Sequence, residues 1–160
     1  MLLPLLAAVA LAATPTVAID KLLAKPTTQV RSQTKLAILL PKALPVASAD
    51  AKLYASATGS RDRYAFRLAS TPDCSANYCY AATFSAQKGS GLGGGEAVTL
   101  TKNRKARYRP MSCGASCAPA SIAWKERGAT YTIEAMIPLD SNQKKLLSDM
   151  ANAAIKRGPR

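Results

Sequence analysis

The sequence contains no histidine among its 160 residues, and this absence excludes several kinds of active site. A nucleophile activated by imidazole, a histidine general base and a zinc or haem site with histidine ligands all need the missing side chain. Acidic residues are also scarce, with nine against 22 lysines and arginines. The three glutamates, Glu96, Glu126 and Glu134, do not show a spacing that suggests the carboxylate pair of a glycoside hydrolase. We therefore expect a protein that is not an enzyme.

Long apolar segments are missing, apart from one short run over residues 2–13 that Pro4 interrupts. This run is shorter than the ~20 helical residues that span a bilayer. Residues 1–18 carry no charged side chain, and the small residues at 11–13 and at 16–18 suit a signal peptidase. The sequence therefore predicts a signal peptide over residues 1–18, with a buried N-terminal helix or strand as the alternative.

A signal peptide implies an exported protein, periplasmic or extracellular, whose mature chain is predicted to have no transmembrane helix. No cysteine follows the apolar run, so a bacterial lipoprotein anchor is not expected. Because residues 1–18 contain no charged side chain, the formal net charge of +13 stays on the mature chain. The even number of cysteines, four, agrees with an oxidising compartment.

The mature chain is predicted to form a linker over residues 19–34 and one folded domain over residues 35–160. Residues 19–23 suit a single helical turn, and Pro26 is expected to end it. From residue 35 onward the apolar residues mostly alternate with polar ones, which is typical of strands. Seven such segments are recognisable, at 52–58, 63–69, 78–85, 97–102, 105–111, 121–125 and 130–137.

The last segment changes to a helical period over residues 141–157. Asp140 or Ser141 is the predicted N-cap, and Gly158 with Pro159 should end the helix. An amphipathic helix of this length can cover one face of a sheet. The predicted fold class is therefore α+β, with an antiparallel sheet of six to seven short strands covered by a C-terminal amphipathic helix.

A glycine-rich segment over residues 89–94 matches the pattern G-x-G-x-x-G. The dinucleotide-binding form of this pattern needs a strand before it and a helix after it, whereas a strand is predicted to follow here. No Gly-Lys-Ser or Gly-Lys-Thr ends the segment, so it is not a P-loop either. We interpret it as a flexible hairpin loop, and we expect no cofactor.

The four cysteines form two close pairs, Cys74 with Cys79 and Cys113 with Cys117. Four cysteines allow three pairings, and we favour the two local disulfides in an exported chain. A zinc site remains an alternative, because both spacings lie within the range of zinc knuckles. A redox site is less well supported, because neither pair has the Cys-x-x-Cys spacing. We expect no bound metal.

The positive charge is densest between residues 102 and 109, where five cations lie within eight residues: Lys102, Arg104, Lys105, Arg107 and Arg109. In a strand, Lys105, Arg107 and Arg109 share one face, and Tyr108 lies on the other. Such a face attracts anionic partners, which include nucleic acid, anionic lipid, lipopolysaccharide and acidic glycans. The alternative is that the charges only solvate the domain.

The aromatic residues fit the strand periodicity, so they are expected in the core rather than on a nucleic-acid platform. They are Tyr64, Phe66, Tyr78, Tyr80, Phe84 and Trp124.

The run Cys-Gly-Ala-Ser-Cys-Ala-Pro at 113–119 precedes Trp124 and the motif Gly-x-x-Tyr-x-Ile at 128–133. Together with the C-terminal helix, this pattern resembles a family of small exported bacterial proteins of uncharacterised function. The resemblance covers most of residues 35–160. It implies an exported, disulfide-bonded and β-rich domain with a final helix, and it implies no activity or site residues.

Three functional hypotheses follow from the sequence. The first is a non-enzymatic exported protein that binds or scaffolds another component of the cell envelope, such as another envelope protein. The second is an anion-binding module that uses the basic face at residues 102–109. The third is an enzyme that works without histidine, through a carboxylate or a lysine.

Overall fold

The computed structural model describes residues 13–160, and besides two single turns of 3-10 helix their regular structure consists of eleven strands and two α-helices. In chain order these elements are β1 (Thr16–Ala18), α1 (Asp20–Arg31), β2 (Ala43–Pro45), β3 (Tyr54–Ser60), β4 (Arg63–Ala69), β5 (Tyr80–Lys88), β6 (Glu96–Leu100), β7 (Arg104–Arg109), β8 (Ser112–Cys113), β9 (Cys117–Ala118), β10 (Ala120–Glu126), β11 (Ala129–Ala135) and α2 (Gln143–Arg157).

Seven of the strands form one antiparallel sheet in the order β3-β4-β5-β11-β10-β7-β6. The pairs β1–β2 and β8–β9 are short ribbons of their own. The predicted α+β class, the antiparallel sheet and the C-terminal helix are confirmed. Helix α1 is an additional element that the sequence did not predict.

The alternation of apolar and polar residues gives the sheet two different faces. We call the inner face the one whose central row, from β4 to β7, is Phe66, Phe84, Ile133, Ile122 and Tyr108. All five side chains are buried, and they form one hydrophobic core with residues of both helices. Helix α1 packs against β3 and β4, while α2 packs against β10, β11 and β6. Burial of each such side chain contributes about 1.5–3 kcal/mol.

Helix α1 occupies the segment that was predicted to be a linker. Pro26 lies inside this helix, where it removes one backbone hydrogen bond, rather than at its end. Leu23, Thr27 and Val30 are nevertheless buried, and their spacing places them on one helical face. The packing of this face on the sheet outweighs the local cost of the proline.

The first turn of α1 is joined to the end of the chain by ion pairs. Arg157 donates two hydrogen bonds to the Asp20 carboxylate, at 2.7 and 3.1 Å, and Arg160 lies 3.2 Å from it. The hydrogen bonds from Arg157 hold the pKa of Asp20 below its usual value, although partial desolvation acts in the opposite direction. Residues 19–34 are therefore part of the folded unit.

The predicted signal peptide falls partly outside the described residues, since 1–12 are not among them. Its last residues are structured: β1 pairs with β2, and the amide of Val46 donates to the carbonyl of Pro15 at 2.9 Å. Ile19, directly after β1, is fully buried. No helix among the described residues is long and apolar enough to cross a membrane.

Two local predictions need correction. Helix α2 is capped by Asn142, whose side chain accepts from the amide of Lys145, and not by Asp140 or Ser141. The Ser141 hydroxyl instead donates to the carbonyl of Pro138.

The second correction concerns Tyr78, which was predicted to lie in the core. Its side chain is 89% exposed, because it precedes β5 in a single helical turn that ends at the buried Cys79.

Candidate functional site

The candidate site is the outer face of the sheet, opposite the inner face and both helices. The pairing register assigns seven charged residues to it: Arg63, Arg67, Lys105, Arg107, Arg109, Lys125 and Glu134. Six of them are cations and one is an acid. This face is therefore strongly electropositive.

Small polar residues separate the cations of β4 from those of β7. One row across the outer face reads Ala65, Ser85, Thr132, Ala123, Arg107, and the next reads Arg67, Thr83, Glu134, Ser121, Arg109. Four strand spacings separate the two groups of cations, which amounts to roughly 19 Å. The two basic strands therefore lie on either side of a floor rich in serine and threonine.

The glycine-rich segment crosses this face and is not the hairpin loop that was predicted. Residues 89–95 connect β5 to β6. Strand β6 lies four positions away from β5 in the sheet, and it begins towards the end of the sheet opposite to the one where β5 finishes. The hydroxyl of Thr130, an outer-face residue, donates to the carbonyl of Ser90. We call residues 89–95 the crossover. Thr130 is only 5% exposed beneath it.

The crossover contacts two of the predicted anion-binding residues. Arg109 donates from Nε to the carbonyl of Gly94 at 2.9 Å, and Arg107 donates to the carbonyl of Gly95 at 3.3 Å. A Cβ atom on Gly93 would lie 2.8 Å from the Arg109 guanidinium, so a residue without a side chain suits this close approach. Part of the hydrogen-bonding capacity of both arginines is thus used within the fold.

The five residues predicted for anion binding do not form one cluster. Lys105, Arg107 and Arg109 share the outer face, as the strand period predicted. Arg104 lies an odd number of positions from these three residues along β7, so it belongs to the other face of the strand. It forms a bidentate, partly buried ion pair with Glu126, at 2.6 and 3.0 Å. Lys102 lies in the turn before β7, with a φ of 57°.

Arg63 and Arg67 add to the site from the other side of the floor. The Arg67 guanidinium lies 5.5 Å from the centre of the Tyr80 ring and 3.6 Å from the Cys74 sulfur. Burial raises the pKa of Tyr80 to about 12. The sequence already shows Arg61, Arg63 and Arg67 as a second basic group, and the structure places Arg63 and Arg67 on the outer face of β4.

A cleft of about 510 Å³ lies on the outer face between β3 and the crossover. Hydroxyl groups dominate its lining, from Thr58, Ser60, Ser85, Ser90, Thr130 and Thr132. Arg63 is its only charged lining residue among those described, and Gln87 adds an amide. These serines and threonines give no signal in the sequence, because such residues are common on any exposed strand.

The cysteines form the two predicted disulfides, Cys74–Cys79 and Cys113–Cys117, and the described residues contain no free cysteine. The zinc alternative, which needs free thiolates, is therefore wrong. Both disulfides lie at the same end of the sheet, where Asn77 donates to the carbonyl of Cys117 at 3.2 Å. Two disulfides suggest an oxidising environment and an exported protein.

The described residues contain no group of three or more histidine, cysteine, aspartate or glutamate residues that could hold a metal ion. Comparison with protein-family models, with curated proteins and with solved structures finds no match to this chain.

Proposed function

We propose that this chain is an exported bacterial protein that binds an anionic polysaccharide of the cell envelope through the outer face. The protein works in the periplasm or outside the cell, and it is not an enzyme. The observation that carries the proposal is the composition of the outer face, with six cations and one acid around a serine- and threonine-rich floor.

The character of the floor favours a polysaccharide over the other polyanions. An anionic lipid surface is bound with apolar side chains as well as cations, and the central rows of the floor consist of alanine, serine, threonine and charged residues. Duplex DNA is most often read by a helix in its major groove, but both helices lie on the inner face. Hydroxyl groups, in contrast, donate to and accept from the hydroxyls of sugars.

Retention on heparin, a sulfated polysaccharide, tests the proposal. The folded protein should be retained at low salt and elute as the salt concentration rises, because ionic contacts are screened. The double variant Lys105→Gln/Lys125→Gln removes two exposed cations of the outer face. It should elute at a clearly lower salt concentration than the natural protein.

The matched control is Lys21→Gln/Lys25→Gln, which removes the same charge from exposed positions of α1. Equal elution of the two double variants would mean that net charge alone causes retention, and it would overturn the proposal. The same result would follow if the natural protein were not retained at low salt. Stronger binding to anionic vesicles or to duplex DNA than to heparin and lipopolysaccharide would also overturn it.

A further inference from the structure

We infer that the cleft between β3 and the crossover binds a single acidic sugar unit, with Arg63 contacting its carboxylate or phosphate group. This inference rests on the proposed function and adds to it a defined subsite. The cleft volume of about 510 Å³ lies within the range of small-ligand sites, ~300–1,000 Å³.

Small residues in the middle of the floor leave room for the ligand. Ala65 and Ser85 are directly opposite each other on β4 and β5, while Arg63 and Gln87 form the next pair on this face. The longer side chains thus stand at one end of a shallow floor. The crossover, through Ser90, bounds the cleft on the side of β11.

Arg63 supplies the charge recognition. Its side chain takes part in no salt bridge among the described residues, and no acid lines the cleft there. A guanidinium can donate two parallel hydrogen bonds to a carboxylate or phosphate group. The cleft therefore favours an anionic ligand over a neutral or cationic one.

The rest of the lining matches the hydroxyls of a sugar. Ser60, Ser85 and Thr132 each offer one donor and an acceptor, and the Gln87 amide offers both kinds of group. A nucleic-acid base would need an aromatic platform. Tyr64, the aromatic residue at the cleft, is instead buried, and its hydroxyl accepts from the amide of Leu39 on the inner side.

The test is isothermal titration calorimetry of the folded, oxidised protein with three probes. Trigalacturonate carries carboxylates, glucosamine 1-phosphate carries a phosphate, and galactotriose is a neutral control. At least one acidic probe should bind, and galactotriose should bind at least tenfold more weakly. The stronger acidic probe shows which acidic group the site prefers.

Two variants place the binding in the cleft. Arg63→Gln removes the cation, and Ser85→Leu fills the floor without changing the charge. Each should weaken binding of the preferred probe at least tenfold, whereas Lys21→Gln, at an exposed position of α1 away from the outer face, should change it less than twofold. If Ser85→Leu does not fold, Thr58→Leu at the exposed edge strand takes its place.

The outcomes separate this inference from the proposed function. If heparin retention is normal but neither acidic probe binds, or if the cleft-filling variants bind normally, the subsite is wrong and the outer face still binds polyanions. Equal binding of galactotriose would also overturn the subsite. If heparin retention is absent as well, the proposed function itself is wrong.

Discussion

Gly95 is the last residue of the crossover before β6. Among the glycines, it is the one whose replacement by another residue should destabilise the fold most. Its φ is +126°, and a Cβ atom would lie 2.5 Å from the carbonyl oxygen of Tyr108. Gly95→Ala should therefore lower the free energy of unfolding by about 2–3 kcal/mol, since both the conformation and the contact are unfavourable. Urea unfolding measures this change.

Gly114→Ala is the matched control for that substitution. A Cβ atom at Gly114 meets nothing within 4 Å, and its φ is not in the left-handed region. Its effect should stay within ±0.5 kcal/mol, as for most surface substitutions. Similar losses for both variants would contradict the close packing of the crossover on β7.

Tyr131 couples the inner face to the irregular segment before β2. Its hydroxyl donates to the carbonyl of Ala37 at 3.0 Å, and burial raises its pKa to about 12. The neighbouring Tyr64 has an even higher pKa for the same reason. Because the folded state holds these protons more tightly than the unfolded state does, their stabilising contribution is complete below pH ~10 and is lost as pH rises toward 12.

Tyr131→Phe should therefore be less stable than the natural protein at pH 7, by about 1 kcal/mol for the lost hydrogen bond. The difference between the two proteins should shrink or reverse between pH 10 and 12, because phenylalanine cannot ionise. Urea unfolding at a series of pH values checks both parts. A difference that stays constant through pH 12 would show that Tyr131 ionises normally in the folded state.

At the scale of elements, local patterns predicted the strands well and the connections poorly. β4, β10 and β11 alternate apolar and polar residues clearly, so their inner and outer residues followed from the period of two. α1 was missed because Pro26 is a strong local signal for a helix end, whereas the packing of Leu23 and Val30 that overrides it is not local. Likewise, nothing in residues 89–95 themselves shows that β6 pairs with β7 rather than with β5.

Of the two predicted signal-peptidase sites, the contacts of the short strand β1 favour the earlier one. Cleavage after Ala18 would remove β1, its pairing with β2 and the bond from Val46 to Pro15. It would also place the new amino terminus on Ile19, which is fully buried. Cleavage after Ala13 keeps all of these contacts, so we expect the exported protein to begin at Thr14.

Intact-mass measurement and amino-terminal sequencing of the exported protein check this expectation. Ala13→Leu replaces the small residue before the bond between residues 13 and 14, so this variant should be cleaved poorly by signal peptidase. Ala18→Leu, at an exposed position of β1, should be cleaved normally. A mature protein that starts at Ile19 would contradict the prediction, and β1 would then not belong to the functional fold.

At the scale of the whole molecule, two groups of cations have different roles: some form ion pairs within the fold, and others lie on the outer face. Arg104, Arg157 and Arg160 form ion pairs that join elements at the periphery of the core, whereas the cations of the outer face share that face with the single acid Glu134. The sequence predicted the cluster on β7, because residues 105–109 alternate within one strand. It did not predict that Arg63 and Arg67 share the same face, since that depends on the strand order.

The two disulfides lie at one end of the sheet, where Cys79 is their only buried cysteine, and this position predicts how the protein responds to reduction. Each closes a loop with a sequence separation of only 5 or 4 residues, which corresponds to about 2 kcal/mol of stabilisation in the chain-entropy model. The core itself is built from residues of the sheet and both helices. We therefore expect the reduced protein to remain folded, but with a lower urea midpoint.

The disulfides should differ in their effect on binding. Cys74 lies 3.6 Å from the Arg67 guanidinium, whereas the Cys113–Cys117 ribbon is exposed and approaches the first loop through Asn77. Cys74→Ser/Cys79→Ser should thus lower the salt concentration of elution from heparin, because Arg67 loses its fixed position. Cys113→Ser/Cys117→Ser should also lower stability but should elute normally. Equal elution of the two variants would show that the Cys74–Cys79 disulfide does not position Arg67 for binding the polyanion.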